Sequence, residues 1–130
     1  MSAASQSLLL YVEDEVLIQD LVESALQEAG FEVALALDGE AARDVLTERR
    51  ENLRGLITDV NLPGGLDGWD VARQARELMN DLPVVYVSGG SPHEWTSKGV
   101  PNSIMIEKPF APAQIVVAIS TLINAAGPQS

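Results

Sequence analysis

Polar side chains follow the short apolar runs of this sequence. Glu13 and Asp14 follow residues 8–12, Asp59 follows residues 56–58, Ser88 follows residues 83–87, and Lys108 lies just beyond residues 103–106. If these runs are parallel strands, their carboxyl ends meet at one edge of a sheet. Three carboxylates, a hydroxyl and an amine are then brought together from distant parts of the chain.

Three carboxylates on neighbouring strands call for a compensating cation. At ~4 Å and an effective dielectric constant of about 20, each pair repels by roughly 4 kcal/mol, so a bound cation or raised pKa values must relieve the repulsion. Carboxylate oxygens suit Mg²⁺, with Mn²⁺ as a second candidate. We expect Asp14 and Asp59 to be direct ligands and the backbone carbonyl of Asn61 a third, with Glu13 acting through a metal-bound water.

Lys108 and Ser88 are candidates for holding a phosphoryl group at the same edge. An ammonium that faces a carboxylate-metal site can neutralise phosphoryl oxygens, and a serine hydroxyl can donate a hydrogen bond to them. The chemistry predicted from these residue types is electrostatic stabilisation of a phosphoryl group during transfer.

Five apolar strands that alternate with five helices must position these groups. The strands are predicted at residues 8–12, 31–37, 55–58 (with Asp59 at the end), 83–87 and around Ile104. The first helix has an apolar stripe of Leu17, Ile18, Leu21, Val22, Ala25, Leu26 and Ala29 and ends at Gly30. The fourth, within residues 91–99, is short and capped by Ser91, and the last begins at Pro112 and ends at Gly127.

Strands without polar alternation, separated by amphipathic helices, are typical of a parallel sheet covered on both faces. Right-handed crossovers make such a sheet doubly wound. The predicted fold class is α/β and flavodoxin-like, a five-stranded parallel sheet in the order 2-1-3-4-5. The site then lies between the first and third strands, where the strand order reverses.

Length and composition indicate one globular domain. The 130 residues are 46% hydrophobic and 21% charged, without cysteine, so we expect a single domain over residues 1–130, with a core at about 8–124 and short flexible termini. The net charge of −11 disfavours nucleic-acid binding, which depends on Lys and Arg. No apolar run approaches the roughly 20 residues of a membrane span, and no signal peptide is evident. We therefore expect a cytoplasmic protein without membrane association.

The ordered set of motifs resembles the receiver domain of two-component response regulators. The resemblance covers residues 8–124 and rests on Glu13-Asp14, Asp59-Val60-Asn61-Leu62-Pro63, Ser88 and Lys108-Pro109-Phe110. It implies Mg²⁺-dependent phosphorylation of Asp59 by a histidine kinase or a histidine phosphotransfer protein. Ser88 is then expected to move toward the acyl phosphate and Lys108 to pair with it.

The resemblance also implies how the signal leaves the domain. A stand-alone receiver is expected to contact an unknown downstream protein through its fourth helix, fifth strand and fifth helix, as a monomer or weak homodimer. By the same resemblance, it is expected to catalyse its own phosphorylation and dephosphorylation without a separate turnover substrate.

Three positions depart from the family pattern. Met105 stands three residues before Lys108, where the family often has an aromatic switch residue, so a rotamer switch of Tyr or Phe is not carried over. The loop of residues 63–68 is one residue longer than the usual Pro-x-x-Asp-Gly. The first acidic residue is Glu13 rather than the commoner Asp.

Two other functions stay open at this stage. A degenerate receiver would bind proteins without being phosphorylated, and the absence of an aromatic residue at position 105 favours this reading. A Mg²⁺-dependent hydrolase working through an aspartyl phosphate usually has a general acid two residues after the nucleophile. Asn61 occupies that position and cannot serve as an acid.

Structural roles are predicted for the other conspicuous side chains. Tyr86 is expected in the core, and Trp69 and Trp95 are expected to pack at helix starts. The single histidine, His93, is expected to be exposed to solvent.

Overall fold

The computed structural model describes residues 7–90 and 92–125. Its strands are β1 (Leu8–Val12), β2 (Glu32–Ala36), β3 (Leu53–Asp59), β4 (Val84–Ser88) and β5 (Ser103–Glu107). Its helices are α1 (Val16–Glu28), α2 (Gly39–Arg49), α3 (Gly68–Leu78), α4 (Trp95–Lys98, after a 3-10 turn at Pro92–Glu94) and α5 (Pro112–Ala125). The predicted flexible termini, the Ser91 cap and the helix end at Gly127 lie outside the described residues.

The strands form one parallel sheet in the order β2-β1-β3-β4-β5, which confirms the predicted fold class. Its register aligns the carboxyl ends of the central strands. Val12 lies opposite Thr58, and Asp59 lies opposite Val87. The residues that follow β1, β3 and β4 therefore emerge along one edge.

Helices cover both faces of the sheet, and each face has its own hydrophobic core. Leu10, Leu56 and Val84 point from the strands toward α2 and α3, whereas Leu9 and Ile57 point toward α1 and α5. All five residues of β1 and of β4 are buried. This burial on both faces explains why the strands lack polar alternation.

Local sequence signals define several helix ends. Gly30 has φ +99°, a left-handed conformation that favours glycine after a helix. The Asp38 side chain accepts from the Ala41 N–H at the start of α2. Asp67 and Asp70 form a reciprocal capping box at the start of α3.

The amino ends of the strands lie at the opposite edge from the polar residues. The Ser7 carbonyl accepts a hydrogen bond from the Glu32 N–H at the start of β2. Helix α5 runs back to this edge, where Ala125 lines a cavity with Pro83 and Ser103 at the starts of β4 and β5. Within the described part of the chain, no helix is sufficiently long and apolar for a membrane crossing.

Two sequence predictions about element positions were wrong. Strand β3 begins at Leu53, two residues earlier than expected, because buried Leu53 already pairs with Leu8. The predicted apolar stripe of α1 included Leu17 and Leu21, but their exposed fractions are 81% and 63%. Ala29 is likewise exposed.

Val22 and Leu26 of the predicted stripe are buried as expected, and Gln19, which was not predicted, completes the buried face of α1. These residues are spaced three and four apart, which places them on one side of the helix. A polar residue thus occupies a core position of α1, and apolar residues of the same helix face outward.

Candidate functional site

Asp59 ends the middle strand of the sheet, at the edge formed by the carboxyl ends of the strands. It is the last residue of β3 and is 4% exposed. The chain is held on both sides of it, since the Val60 N–H donates to the Val87 carbonyl at 2.9 Å and the Gly68 N–H donates to the Val60 carbonyl at 2.8 Å. The Asn61 N–H donates to Asp59 Oδ1 at 3.2 Å. Asp59 therefore precedes a hydrogen-bonded turn that connects β3 to α3.

Glu13, Asp14 and Asp59 form an acidic cluster in which one carboxylate oxygen from each lies within 4.8 Å of the others. Glu13 is fully buried, whereas Asp14 is exposed. The donor set consists of hard carboxylate oxygens close enough to share one ion, so it fits Mg²⁺. Asn61, the fourth predicted metal-site residue, is exposed beside Asp59.

The Glu13 carboxylate accepts hydrogen bonds from Tyr11 in β1 and from the backbone two residues further along the chain. The Tyr11 hydroxyl donates to Glu13 Oε1 at 3.4 Å, and the Glu15 N–H donates to Oε2 at 3.2 Å. Burial, followed by the charge of Asp59, raises the pKa of Glu13 from 4.5 to about 7. The Glu15 N–H and Lys108 oppose this shift. The cluster thus favours a bound proton or cation near neutral pH.

Burial raises the pKa of Tyr11, and the charges of Glu13 and Asp59 raise it further. The Tyr11 hydroxyl accordingly stays protonated and acts as a donor toward the cluster.

Lys108 crosses the site to reach Asp59. Its Nζ lies 2.8 Å from Asp59 Oδ2 and 3.9 Å from Glu13 Oε1. Burial lowers the pKa of Lys108, but the hydrogen bond to Asp59 and the charges of Asp59, Glu13 and Glu15 outweigh that effect, so the pKa is raised. The side chain is 24% exposed, and its charge is maintained throughout the physiological range.

Ser88 is joined to Lys108 through the backbone. It is the last residue of β4 and is fully buried, and its carbonyl accepts a hydrogen bond from the Lys108 N–H at 2.9 Å. This hydrogen bond ties the end of β4 to the residue that follows β5. All of the predicted site residues lie at the same edge of the sheet.

The longer loop between β3 and α3 packs against α2. A Cβ added to Gly39 would lie 2.5 Å from the Leu66 Cβ, so the loop requires a glycine at that position. Gly64 in the same loop has φ +91°. At the end of the loop, a Cβ on Gly68 would clash with the Asp59 carbonyl oxygen. The loop is thus closely packed at Leu66 and at Gly68.

The aromatic residues occupy the predicted structural positions. Tyr86 is fully buried, and its ring centroid lies 4.7 Å from that of buried Trp69. The Tyr86 hydroxyl accepts a hydrogen bond from the Val100 N–H at 3.0 Å. Trp95 is 37% exposed at the start of α4, and its Nε1 donates to Ser103 Oγ at 2.9 Å. His93 is exposed, as expected.

Sequence reasoning missed two residues that contact the acidic cluster from within the fold. Tyr11 lies two residues before Glu13, so strand periodicity places both side chains on one face. Gln19 donates from Nε2 to the Glu13 carbonyl at 3.1 Å and to the Ala36 carbonyl at 3.2 Å. Its spacing from Val22 and Leu26 was the available signal for its burial.

A family model and the similar curated proteins identify the same family. A family model described as the response regulator receiver domain matches residues 9–120. The transcriptional regulatory protein PrrA of Mycobacterium tuberculosis is 32% identical over 120 residues, covering 91% of this chain and 50% of that protein. The phosphate regulon transcriptional regulatory protein PhoB of Pseudomonas aeruginosa is 29% identical, with 92% and 53% covered. The chain spans about half the length of these curated relatives.

Solved structures show the same similarity along nearly the whole chain. A response regulator receiver protein from Sinorhizobium medicae is 41% identical, has a TM-score of 0.89, and is matched over 95% of this chain and 99% of that one. The chemotaxis response regulator CheY4 of Vibrio cholerae is 26% identical, with a TM-score of 0.77 and coverage of 91% and 99%.

Proposed function

The chain belongs to the response regulator receiver domain family, and on this premise we propose that Asp59 accepts a phosphoryl group from a phosphohistidine donor. An Asp59 carboxylate oxygen forms a bond to phosphorus while the bond from phosphorus to the donor imidazole nitrogen breaks. The imidazole leaves with that electron pair, and the product is an aspartyl phosphate. The observation that carries the proposal is the convergence of Glu13, Asp14 and Lys108 on the one carboxylate of Asp59.

The acidic cluster would hold Mg²⁺ through Asp14, Asp59 and the Asn61 backbone carbonyl, with Glu13 acting through water. Mg²⁺ supplies positive charge that neutralises phosphoryl oxygens during transfer. Mn²⁺ has the same preference for carboxylate oxygens. The exposure of Asp14 supports this arrangement, because it leaves the outer side of the cluster open to a hydrated ion.

Lys108 and Ser88 would stabilise the phosphorylated state. Lys108 already contacts an oxygen of Asp59 and can transfer that contact to the phosphoryl oxygens. Ser88 can donate its hydroxyl to the same group. Because the Lys108 N–H is bonded to the Ser88 carbonyl, movement of either residue toward the phosphate displaces both strand ends.

A histidine kinase or histidine phosphotransfer protein would approach over α1. Leu17 and Leu21 expose apolar surface there. Leu21 also lines an apolar cleft together with Pro109 and Phe110, directly beside Lys108. A partner that buries this surface gains apolar contact next to Asp59.

The downstream partner would bind the face formed by α4, β5 and α5. An apolar groove there is lined by Ile104, Ile106 and Val117, and Val117 is 64% exposed. Single-domain organisation, a monomer or weak homodimer, and a cytoplasmic location remain predictions from sequence.

The decisive experiment is labelling by acetyl phosphate with Mg²⁺. Asp59→Asn should abolish the acid-stable label, whereas Asp44→Asn, at an exposed position of α2, should label like wild type. Unchanged labelling of Asp59→Asn would refute the site.

A degenerate receiver is the second candidate, favoured by Met105. The two functions differ in their response to fluoroberyllate with Mg²⁺. A phosphorylatable receiver should show shifted amide signals around Asp59 and Ser88, and a receiver that acts only as a binding module should not.

A further inference from the structure

Helix α1 buries a glutamine, although leucines of the same helix are exposed. Gln19 is 5% exposed, whereas Leu17 is 81% exposed two residues earlier. Burying an amide is unfavourable unless its polar atoms find hydrogen-bond partners. The hydrogen-bond partners of Gln19 therefore explain why α1 packs with its Gln19 face toward the sheet.

Those partners are the carbonyls at the ends of two neighbouring strands. Nε2 of Gln19 donates to the Glu13 carbonyl at 3.1 Å and to the Ala36 carbonyl at 3.2 Å. Ala36 is the last residue of β2, and its carbonyl also accepts from the Glu13 N–H at 3.0 Å. One side-chain amide thus bridges the last residue of β2 and the residue that follows β1.

The bridge constrains the backbone on both sides of Glu13. The Glu13 N–H is bonded to Ala36, and the Glu13 carbonyl belongs to the peptide that leads into Asp14. Fixing that peptide fixes the direction in which the chain presents the Asp14 carboxylate. Asp14 is exposed, so little packing of its own is available to set its position.

We propose that Gln19 is a positioning residue for the acidic cluster, holding the Glu13-Asp14 peptide so that both carboxylates converge with that of Asp59. The inference rests on the proposed Mg²⁺ site and adds a residue that touches neither the ion nor the phosphoryl group. Gln19 is uncharged, so it orders the backbone without adding to or opposing the charge of the cluster.

Gln19→Met keeps the length of the side chain and removes the donor. In the full chain we expect the dissociation constant for Mg²⁺, measured by amide NMR titration, to rise about tenfold. Labelling by acetyl phosphate should slow at low Mg²⁺ and recover when Mg²⁺ is saturating. In metal-free protein, exchange of the Glu13 amide hydrogen should accelerate, because its acceptor Ala36 loses the second bond that holds it.

Val22→Ala is the matched control, since it weakens the same buried face of α1 without touching either carbonyl. It should lower stability while leaving Mg²⁺ affinity within about twofold of wild type. If Gln19→Met fails to fold, Gln19→Asn serves in its place, because its shorter amide cannot span both carbonyls.

Unchanged Mg²⁺ affinity in a folded Gln19 variant would overturn the positioning role. Equal loss of affinity in Val22→Ala would overturn it as well, since general destabilisation would then be the cause. Failure of wild-type protein to bind Mg²⁺ near Asp59 would instead overturn the proposed function, so the two failures are distinguishable.

Discussion

Lys108 Nζ lies 2.8 Å from Asp59 Oδ2, within a cluster whose three carboxylates can also share one cation. If the proposed Mg²⁺ site forms, the lysine and the divalent ion compete for the charge of the same carboxylate. The lysine balances the charge of Asp59, and under the proposed function both cations would be needed when phosphoryl oxygens add further negative charge.

Removing this lysine should separate metal binding from phosphoryl transfer. Lys108→Met leaves nearly buried Asp59 without its partner, so metal-free protein should lose about 2 kcal/mol of unfolding free energy. Mg²⁺ should bind severalfold more tightly, because the competing ammonium is gone, and the rate of labelling by acetyl phosphate should fall at least about tenfold.

Isothermal titration, urea unfolding and labelling measure these three effects. Lys98→Met is the control, because Lys98 pairs with Glu94 at 3.5 Å on the exposed surface of α4 and such pairs contribute little. Weaker Mg²⁺ binding by Lys108→Met would contradict the competition.

The stability of metal-free protein should fall as the pH rises from about 4.5 to 7. Folding raises the pKa of Glu13 to about 7, since it buries the carboxyl beside Asp59 and Asp14, with Lys108 only partly compensating. Between these pH values the folded chain keeps a proton that the unfolded chain has released, so unfolding becomes easier with rising pH. The loss approaches about 3 kcal/mol and is complete above pH 7.

Urea unfolding in a chelator at pH 5 and pH 8 checks this prediction. Glu13→Gln removes the titrating group and should show a flatter pH dependence than wild type, with higher stability at pH 8. Parallel pH profiles for the two proteins would contradict the assignment to Glu13.

Gly68→Ala should disturb both stability and the site. The added Cβ would clash with the Asp59 carbonyl oxygen and lie 2.8 Å from the Val60 Cα, so β3 and α3 must separate at a cost of about 3 kcal/mol. Gly65→Ala in the same loop meets nothing within 4 Å and should unfold like wild type. A loss below about 0.5 kcal/mol for Gly68→Ala, measured in urea, would show that the loop is not closely packed at this point.

Tyr86→Phe should loosen the segment between α4 and β5. It leaves the buried Val100 N–H without the hydroxyl oxygen that accepts from it at 3.0 Å, at a cost of about 1–2 kcal/mol. Hydrogen exchange at Val100 should become faster than in wild type. Unchanged exchange there would mean that the hydroxyl does not anchor the segment.

Sequence patterns predicted the fold because each core strand carries its signal locally. Residues 8–12 and 84–87 are apolar throughout, and burial on both faces requires that composition. The meeting of Glu13, Asp59 and Lys108 followed from strand order alone, because parallel strands end at one edge.

The remaining features depend on tertiary contacts that periodicity does not encode. Leu17 and Leu21 have helical spacing, but only one face of α1 packs against the sheet. That face carries Gln19, whose side chain donates hydrogen bonds to the two carbonyls at the strand ends. The Lys108 contact to Asp59 depends on the path of a long side chain across the site. The spacing of Gln19 from Val22 and Leu26 indicates its burial but not its hydrogen-bond partners, and the Lys108 contact has no signature within its own segment.

The amino edge of the sheet gathers Ser7 at one end of the described chain and Ala125 at the other, both remote from the carboxylates. A fluorophore or linker attached to a cysteine introduced at exposed position Ala125 would thus leave from the edge opposite the carboxylates. Protein tethered to a sensor chip in this way should expose the edge that carries Glu13, Asp14 and Asp59 to the solution, where a phosphodonor can reach it.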